Sequence, residues 1–422
     1  MNNLRSIGVF LIASTTTLTA ISQEDSSSRW DLDRCISHAL ENNINISQSQ
    51  LEQKVSALEY TQSKFERLPS INGSASQSLL DPTTTSFGLN ANLNIFNGLS
   101  TEYNIKKQRL SLEKQATKTE SVKYEITTAV IEAYLQLLYN KENIDVAEKI
   151  LESSKAQLTL SQAKYKVGSI SAKDASDIEA QYASNEYSLI KARNAYAQQL
   201  LTLKQLLELN PETSFDIAIP NIETATYEVP SAKEVYQTAY TVFPDIKNIE
   251  QQQAIDSVSI KLAQSAYYPS LSLSAGVGAS ANYFDNQSEL EGNNSLRLSL
   301  SVPIFNNLQT KTNVETARIN SEYNTLALES AKKNLYKEIE STCQSAQAYQ
   351  TELIALEKSE KAAAVSYELA QKQFNLGATD ATSLLLAETN YIQANLSKIQ
   401  AKYMAVLYHL LLQQYQGKPL AL

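Results

Sequence analysis

Two histidines, His38 and His409, and two cysteines, Cys35 and Cys343, are all the chain offers of the residue types that most often hold a metal or serve as a nucleophile or base. A serine–histidine–carboxylate relay or a multi-histidine metal centre has almost nothing to draw on. The cysteines are far apart and match no metal or redox spacing, so they read as two unpaired thiols. No glycine-rich phosphate loop and no nucleophile elbow is present. Carboxylates are abundant, but they alternate with lysines in helix-surface patterns. Lys141, Glu142, Lys149 and Glu152 read as one such solvated face. The residues point to no catalysis and no cofactor. A net charge of −9 without a basic stripe argues against nucleic acid as a partner.

What the sequence does specify is long elements. Only ten glycines and nine prolines occur among 422 residues, and neither falls between Gly98 and Gly168, Gly168 and Pro211, Pro303 and Gly377, or Gly377 and Gly417. Those gaps are rich in Ala, Leu, Glu, Lys and Gln, which lose little on entering a helix. The run from Leu99 to Val167 predicts a helix about 100 Å long at 1.5 Å per residue. Such a helix needs a partner along its length. Val130, Leu137, Ile144, Leu151, Leu158 and Tyr165 recur at every seventh position as a seam, with Ala133 and Ala147 beside it implying close helix approach. Turns at Gly168 and Gly377 then give two helical hairpins.

The halves repeat. Leu68-Pro69-Ser70-Ile71 returns as Tyr268-Pro269-Ser270-Leu271, and Ile95-Phe96-Asn97-Gly98-Leu99 as Ile304-Phe305-Asn306-Asn307-Leu308, with one variable loop between them. The expected organisation is a leader at 1–22, a first repeat at 30–210, a linker at 211–230 and a second repeat at 231–417. Strands are expected at about 70–80, 86–96, 270–282 and 295–305, and helical hairpins at 99–209 and 308–417. Arg5, the apolar stretch Ile7 to Ala13 and the small residues through Ala20 and Ser22 suit an export signal, with an ordinary N-terminal tail as the alternative. In the linker, Phe215, Ile217 and Ile219 alternate as a short strand would.

Four segments alternate with period two. Phe87, Leu89, Ala91, Leu93 and Ile95 interleave with Gly88, Asn90, Asn92 and Asn94, and Leu296, Leu298, Leu300 and Val302 with Arg297, Ser299 and Ser301. Leu271, Leu273, Ala275, Val277 and Ala279 interleave with serine and glycine, and Ile71 to Leu79 is a weaker fourth. Periodicity alone fits a half-buried soluble sheet equally well. The leader, the uncharged Asn/Ser/Gly face broken only by Arg297, and aromatic residues at the helix-proximal ends (Tyr267, Tyr268, Phe96, Phe305) favour a membrane barrel with a wet lumen. Tyr283 and Phe284, beside a polar loop from Asp285 to Asn294, would form the opposite girdle. Four strands cannot close, and open edges are not tolerated in lipid, so copies must pool their strands. Two copies give a narrow, filled barrel and three give room for a passage.

From Trp30 to Gly417 the chain resembles the TolC-like outer-membrane efflux proteins. The resemblance is carried by the tandem halves, the strand starts at Pro69-Ser70 and Tyr268-Pro269-Ser270, and the strand exits at Ile95-Phe96-Asn97-Gly98 and Pro303-Ile304-Phe305-Asn306. The hairpin turns add Val167-Gly168 with Ala180-Gln181-Tyr182, and Leu376-Gly377 with Ala387. It implies a mainly α fold carrying a membrane β-barrel: a homotrimer with four strands per chain in a 12-stranded barrel, and helical hairpins forming a periplasmic α-barrel. It further implies export of efflux or type I secretion cargo, driven by an inner-membrane transporter with a periplasmic adaptor. The adaptor would meet the tips at Val167, Gly168, Ser169, Leu376, Gly377 and Ala378. The family's acidic entrance ring corresponds here to Ser383 and Leu386, and its gate arginine to Thr379, so that ring is not carried over. Asp380 is the candidate substitute, while Asp174 suits helix capping or dipole compensation. A periplasmic tethering protein is the rival reading, and an enzyme the third.

Overall fold

The computed structural model describes residues 29–78, 83–220, 227–284 and 287–420; the expected leader at 1–22 lies outside the described residues. Its first half runs α1 (Leu32–Asn42), α2 (Ile44–Phe65), β1 (Ser70–Gln77), β2 (Thr83–Asn97), α3 (Ser100–Lys166) and α4 (Ala172–Leu206). The second repeats the order as α5 (Ala232–Val242), α6 (Pro244–Ser265), β3 (Ser270–Phe284), β4 (Gln287–Ser301), α7 (Gln309–Asn375) and α8 (Ala381–Tyr415). Corresponding helices have equal lengths: α3 and α7 span 67 residues each, and α4 and α8 span 35. No helix among the described residues is long and apolar enough to cross a membrane.

Helices α3 and α7 are the two full-length rails. Towards the sheet, α2 and α6 lie against α3, and α6 also against α7. Away from it, α4 pairs with α3 and α8 with α7, and α8 touches both α3 and α4. The main core sits at mid-height, where Val130, Ile131, Tyr134, Leu137 and Leu138 of α3 meet Leu203 and Leu207 of α4 and Leu410 of α8. The seventh-residue seam is buried here, at Val130 and Leu137, but Tyr165 at its far end is half exposed. An α-helix drifts about 20° per heptad against a strict seven-residue repeat. Towards the tip the buried positions are therefore Ile150, Ser154, Gln157 and Ser161 instead. The seam ends polar.

Two surface expectations change on folding. Lys141 donates to Asp216 of the linker at 3.1 Å, and Glu142 pairs with Lys402 of α8 at 3.1 Å; only Lys149 and Glu152 remain as solvated charges. The linker alternation yields a single parallel bridge, Trp30 to Ile217, with no strand. Ile217 is fully buried in the main core, and Tyr134 donates its hydroxyl to the Ala218 carbonyl at 2.8 Å. Side-chain anchoring replaces sheet pairing.

The four strands form one antiparallel sheet in the order β1-β2-β3-β4. Its register aligns like with like. Ile71, Ala91, Ala275 and Leu296 form one cross-strand row, and Leu93, Leu273 and Leu298 another. On the opposite face Asn72, Asn90, Gly276 and Ser295 align, as do Ser70, Asn92, Ser274 and Arg297. Strand β2 carries a bulge at Ile95, so the register resumes with Phe96 opposite Leu271. Strict alternation would put Phe96 on the polar face; the extra residue returns it to the apolar one. Strand β4 starts at Gln287, so the polar segment Gln287 to Asn294 is paired with β3 and is not a loop, while Asp285 and Asn286 lie outside the described residues. It ends at Ser301, leaving Pro303 to Phe305 outside the ladder. Gly98 then turns the chain into α3 at φ +64°, where a Cβ would lie 2.4 Å from the Ser265 carbonyl oxygen. Only glycine fits that approach.

Candidate functional site at the hairpin tips

Both tips close in the same way. The α3 end is wrapped by Gly168 at φ +73°, with the Gly168 amide donating to the Tyr165 carbonyl at 3.0 Å and the Ser169 amide to that of Lys164 at 2.9 Å. The α7 end matches it, with Gly377 at φ +74°, its amide donating to Phe374 at 3.1 Å and the Ala378 amide to Gln373 at 2.8 Å. These bonds satisfy carbonyls that a helix end leaves open. Nothing lies within 4 Å of a Cβ built at either glycine, so backbone handedness and not crowding calls for glycine here.

The returning helices are capped by side chains. Ser171 accepts from the Asp174 amide at 3.1 Å, and Asp380 accepts from the Ser383 amide at 2.9 Å. Asp174 thus sits in the first turn of α4, facing the helix dipole, while Ser171 is the cap. Hydrogen bonds from Ser383 hold the exposed Asp380 carboxyl below the usual carboxylate range, and Lys173 of the other hairpin adds to the effect. Of the candidate gate residues, Thr379 is half-buried, whereas Asp380, Ser383 and Leu386 are exposed. Asp380 and Ser383 are therefore already engaged in a helix cap.

The two tips are joined to each other. Lys164 of α3 reaches across to donate to the carbonyls of Phe374 at 2.6 Å and Asn375 at 3.0 Å, placing a cation on the C-terminus of α7. Beneath, Phe374, Ile178, Ala381 and Leu384 form a small closed core. Above it, Val167 is 77% exposed and Leu376 is 85% exposed, flanking exposed Gly168, Ser169, Gly377 and Ala378. Two apolar side chains thus stand exposed at the hairpin turns.

One constellation escaped sequence reasoning. Glu388 of α8 is fully buried, and it accepts from Asn185 at 2.8 Å and Gln181 at 3.2 Å, both on α4, and from the Tyr367 hydroxyl of α7 at 3.3 Å. Tyr367 in turn accepts from Gln157 of α3 at 2.9 Å. The network ties all four tip helices. Burial, and then the neighbouring Glu388, push the Tyr367 hydroxyl up to about 12. A glutamate in a helix ordinarily reads as surface. Its signal was positional, because Ala381, Leu384, Glu388 and Tyr391 step along one face at helical spacing.

Similarity to known proteins bears on this geometry. The sequence profile of the family described as "Outer membrane efflux protein" matches residues 35–208 and 218–417. Cation efflux system protein CusC of Escherichia coli O157:H7 is 21% identical over 379 residues, spanning 87% of this chain and 82% of its own. Pyoverdine export outer membrane protein OpmQ of Pseudomonas putida is 22% identical over 305 residues, spanning 69% of this chain and 63% of its own. Among solved structures, CusC aligns with a TM-score of 0.78 at 18% identity over 92% of both chains. The Campylobacter jejuni CmeC outer membrane channel aligns at 0.80 and 18%, over 92% of this chain and 85% of its own. With the profile spanning both tandem halves and the tips between them, the chain belongs to the outer membrane efflux protein family.

Proposed function

We propose that this outer-membrane channel is a passive duct whose hairpin tips dock a periplasmic adaptor, which couples it to an inner-membrane transporter of an efflux or type I secretion system. The fold is that of the trimeric channels of the family, an α-barrel continuing a β-barrel. The observation that carries the reading is a sheet with an apolar and a polar face, open at both edges, on rails of 67 residues. The open edges coincide in both layers. Strand β1 follows α2, whose outer flank exposes Leu51, Val55 and Leu58, and β4 precedes α7, which exposes Ile319, Tyr323 and Leu326. The α2/β1 side of one copy is complementary to the α7/β4 side of the next, a head-to-tail contact that closes into a ring. Three copies of a four-stranded sheet supply twelve strands, with the apolar rows turned to outer-membrane lipid and the Asn/Ser rows to water.

The exposed Val167 and Leu376, with the glycine turns and Ser169 and Ala378 between them, support the adaptor contact. Thr379, Asp380, Ser383 and Leu386, on the second hairpin just past that turn, are the proposed entrance. The duct is read as non-catalytic: both thiols are buried, Cys35 is pushed up to about 12 by burial, and His409 is stacked on Tyr227 with its ring nitrogen at 3.0 Å from Gln413. Removing the second tip, residues 375–379, tests the docking role. Export should stop while membrane-inserted oligomers persist, and continued export would refute it.

A further inference from the structure

The described polar face of the sheet is built from Asn, Ser and Gly, and among its described side chains Arg297 alone is charged. Its cross-strand row reads Ser70, Asn92, Ser274, Arg297, and the side chain is exposed with no carboxylate partner among the described residues. By backbone register Glu291 and Glu289 share this face, six and eight residues farther along β4. At 3.4 Å per residue they stand about 20 and 27 Å away, beyond the ~10 Å screening length of 0.1 M salt. At the junction with the helices, Arg67 and Glu102 neutralise each other at 2.5 Å.

We infer that Arg297 is the charge-selecting residue of the barrel lumen: three copies form a cationic ring that concentrates anionic solutes and repels cationic ones. The inference rests on the trimeric-barrel reading. Twelve strands about 4.8 Å apart, tilted about 40°, enclose a cylinder roughly 24 Å across. An arginine reaching inward from such a wall leaves no path much farther than one screening length from a guanidinium. No neighbouring strand offers a compensating charge on that row, because Ser70, Asn92 and Ser274 are neutral.

A reporter thiol beside the ring measures the local potential without requiring the far entrance to be open. Ser299→Cys places one on the same face, two residues from Arg297 and opposite Ser272. In detergent-solubilised trimers, its rate of modification by an anionic methanethiosulfonate (the sulfonatoethyl reagent) is compared with that by a cationic one (the trimethylammonium-ethyl reagent). A point ~7 Å from one guanidinium and roughly 20 Å from two others should favour the anion in the rate ratio by about threefold at 0.1 M salt and about tenfold at 0.01 M, relative to the same thiol with Arg297→Gln. Arg297→Lys should retain the preference, and 1 M salt should abolish it. An unchanged ratio on Arg297→Gln, in trimers that still assemble, overturns the ring. A reporter thiol that neither reagent reaches until the trimer is denatured overturns the lumen assignment beneath it.

Discussion

At the scale of single residues, the tip is held by groups whose chemistry is structural. Glu388 collects three donors in a fully buried site, and no cation is among them. Glu388→Leu would strand the Asn185 amide, while Gln181 keeps its bond to Asn185 at 3.2 Å and the Tyr367 hydroxyl keeps Ser153 at 3.2 Å, so a loss of about 1–3 kcal/mol is expected. Hydrogen exchange should quicken around Tyr367 and in α8 from Ala381 to Tyr391, while Glu388→Gln, which keeps an acceptor, should do less harm. Unaltered protection in the leucine variant would remove the network from the account. Asp380 gives the pH dependence. Its carboxyl titrates below the ordinary value in the folded chain, so its contribution is complete above the unfolded pKa near 4 and is lost as pH falls through the folded value. The first turn of α8 should therefore fray in acid, and Asp380→Asn should make that fraying independent of pH. Exchange rates at Ser383 as a function of pH decide the matter.

At the scale of elements, the sequence announced its helices through what it omitted. Without glycine or proline from Leu99 to Val167, nothing interrupts α3. The glycines at 168 and 377 mark the turns for a physical reason, a left-handed backbone that other residues adopt only at a cost. Sequence was less informative where a local device altered the period. The bulge at Ile95 moves Phe96 to the apolar face, and period-two counting has no way to register it. The start of β4 was hidden by Gln287 to Asn294, whose polar residues look like a loop yet whose backbone pairs with β3. The polar seam at Ser154, Gln157 and Ser161 was likewise invisible to a search for apolar heptads. The facing of β4 can be tested directly. Leu298 lies in the apolar row with Leu93 and Leu273 and is 64% exposed in the single chain. Leu298→Arg should cost roughly 2–4 kcal/mol near the middle of the bilayer and lower the yield of heat-modifiable oligomers in outer membranes. Assembly at the normal level would mean that this row does not face lipid.

At the scale of the molecule, one chain is visibly a segment of something larger. Its sheet has two free edges and two solvent-accessible faces, and its helical layer carries apolar rows at Leu51, Val55 and Leu58 on one flank and Ile319, Tyr323 and Leu326 on the other. Each flank lacks what the other supplies. The need for several copies was legible from the strand count, since four strands cannot close a barrel; the proposed pairing of flanks needed the fold, because α2 and α7 are far apart in sequence. The same closure creates the lumen and aligns three pairs of tips at one end, so the route for cargo and the proposed docking surface both depend on it. Native mass spectrometry of the protein extracted from bacterial outer membranes tests this most directly. The account predicts a complex of three chains, each of 46.7 kDa less any removed leader. A water-soluble single chain recovered from outside the membrane fraction would contradict it.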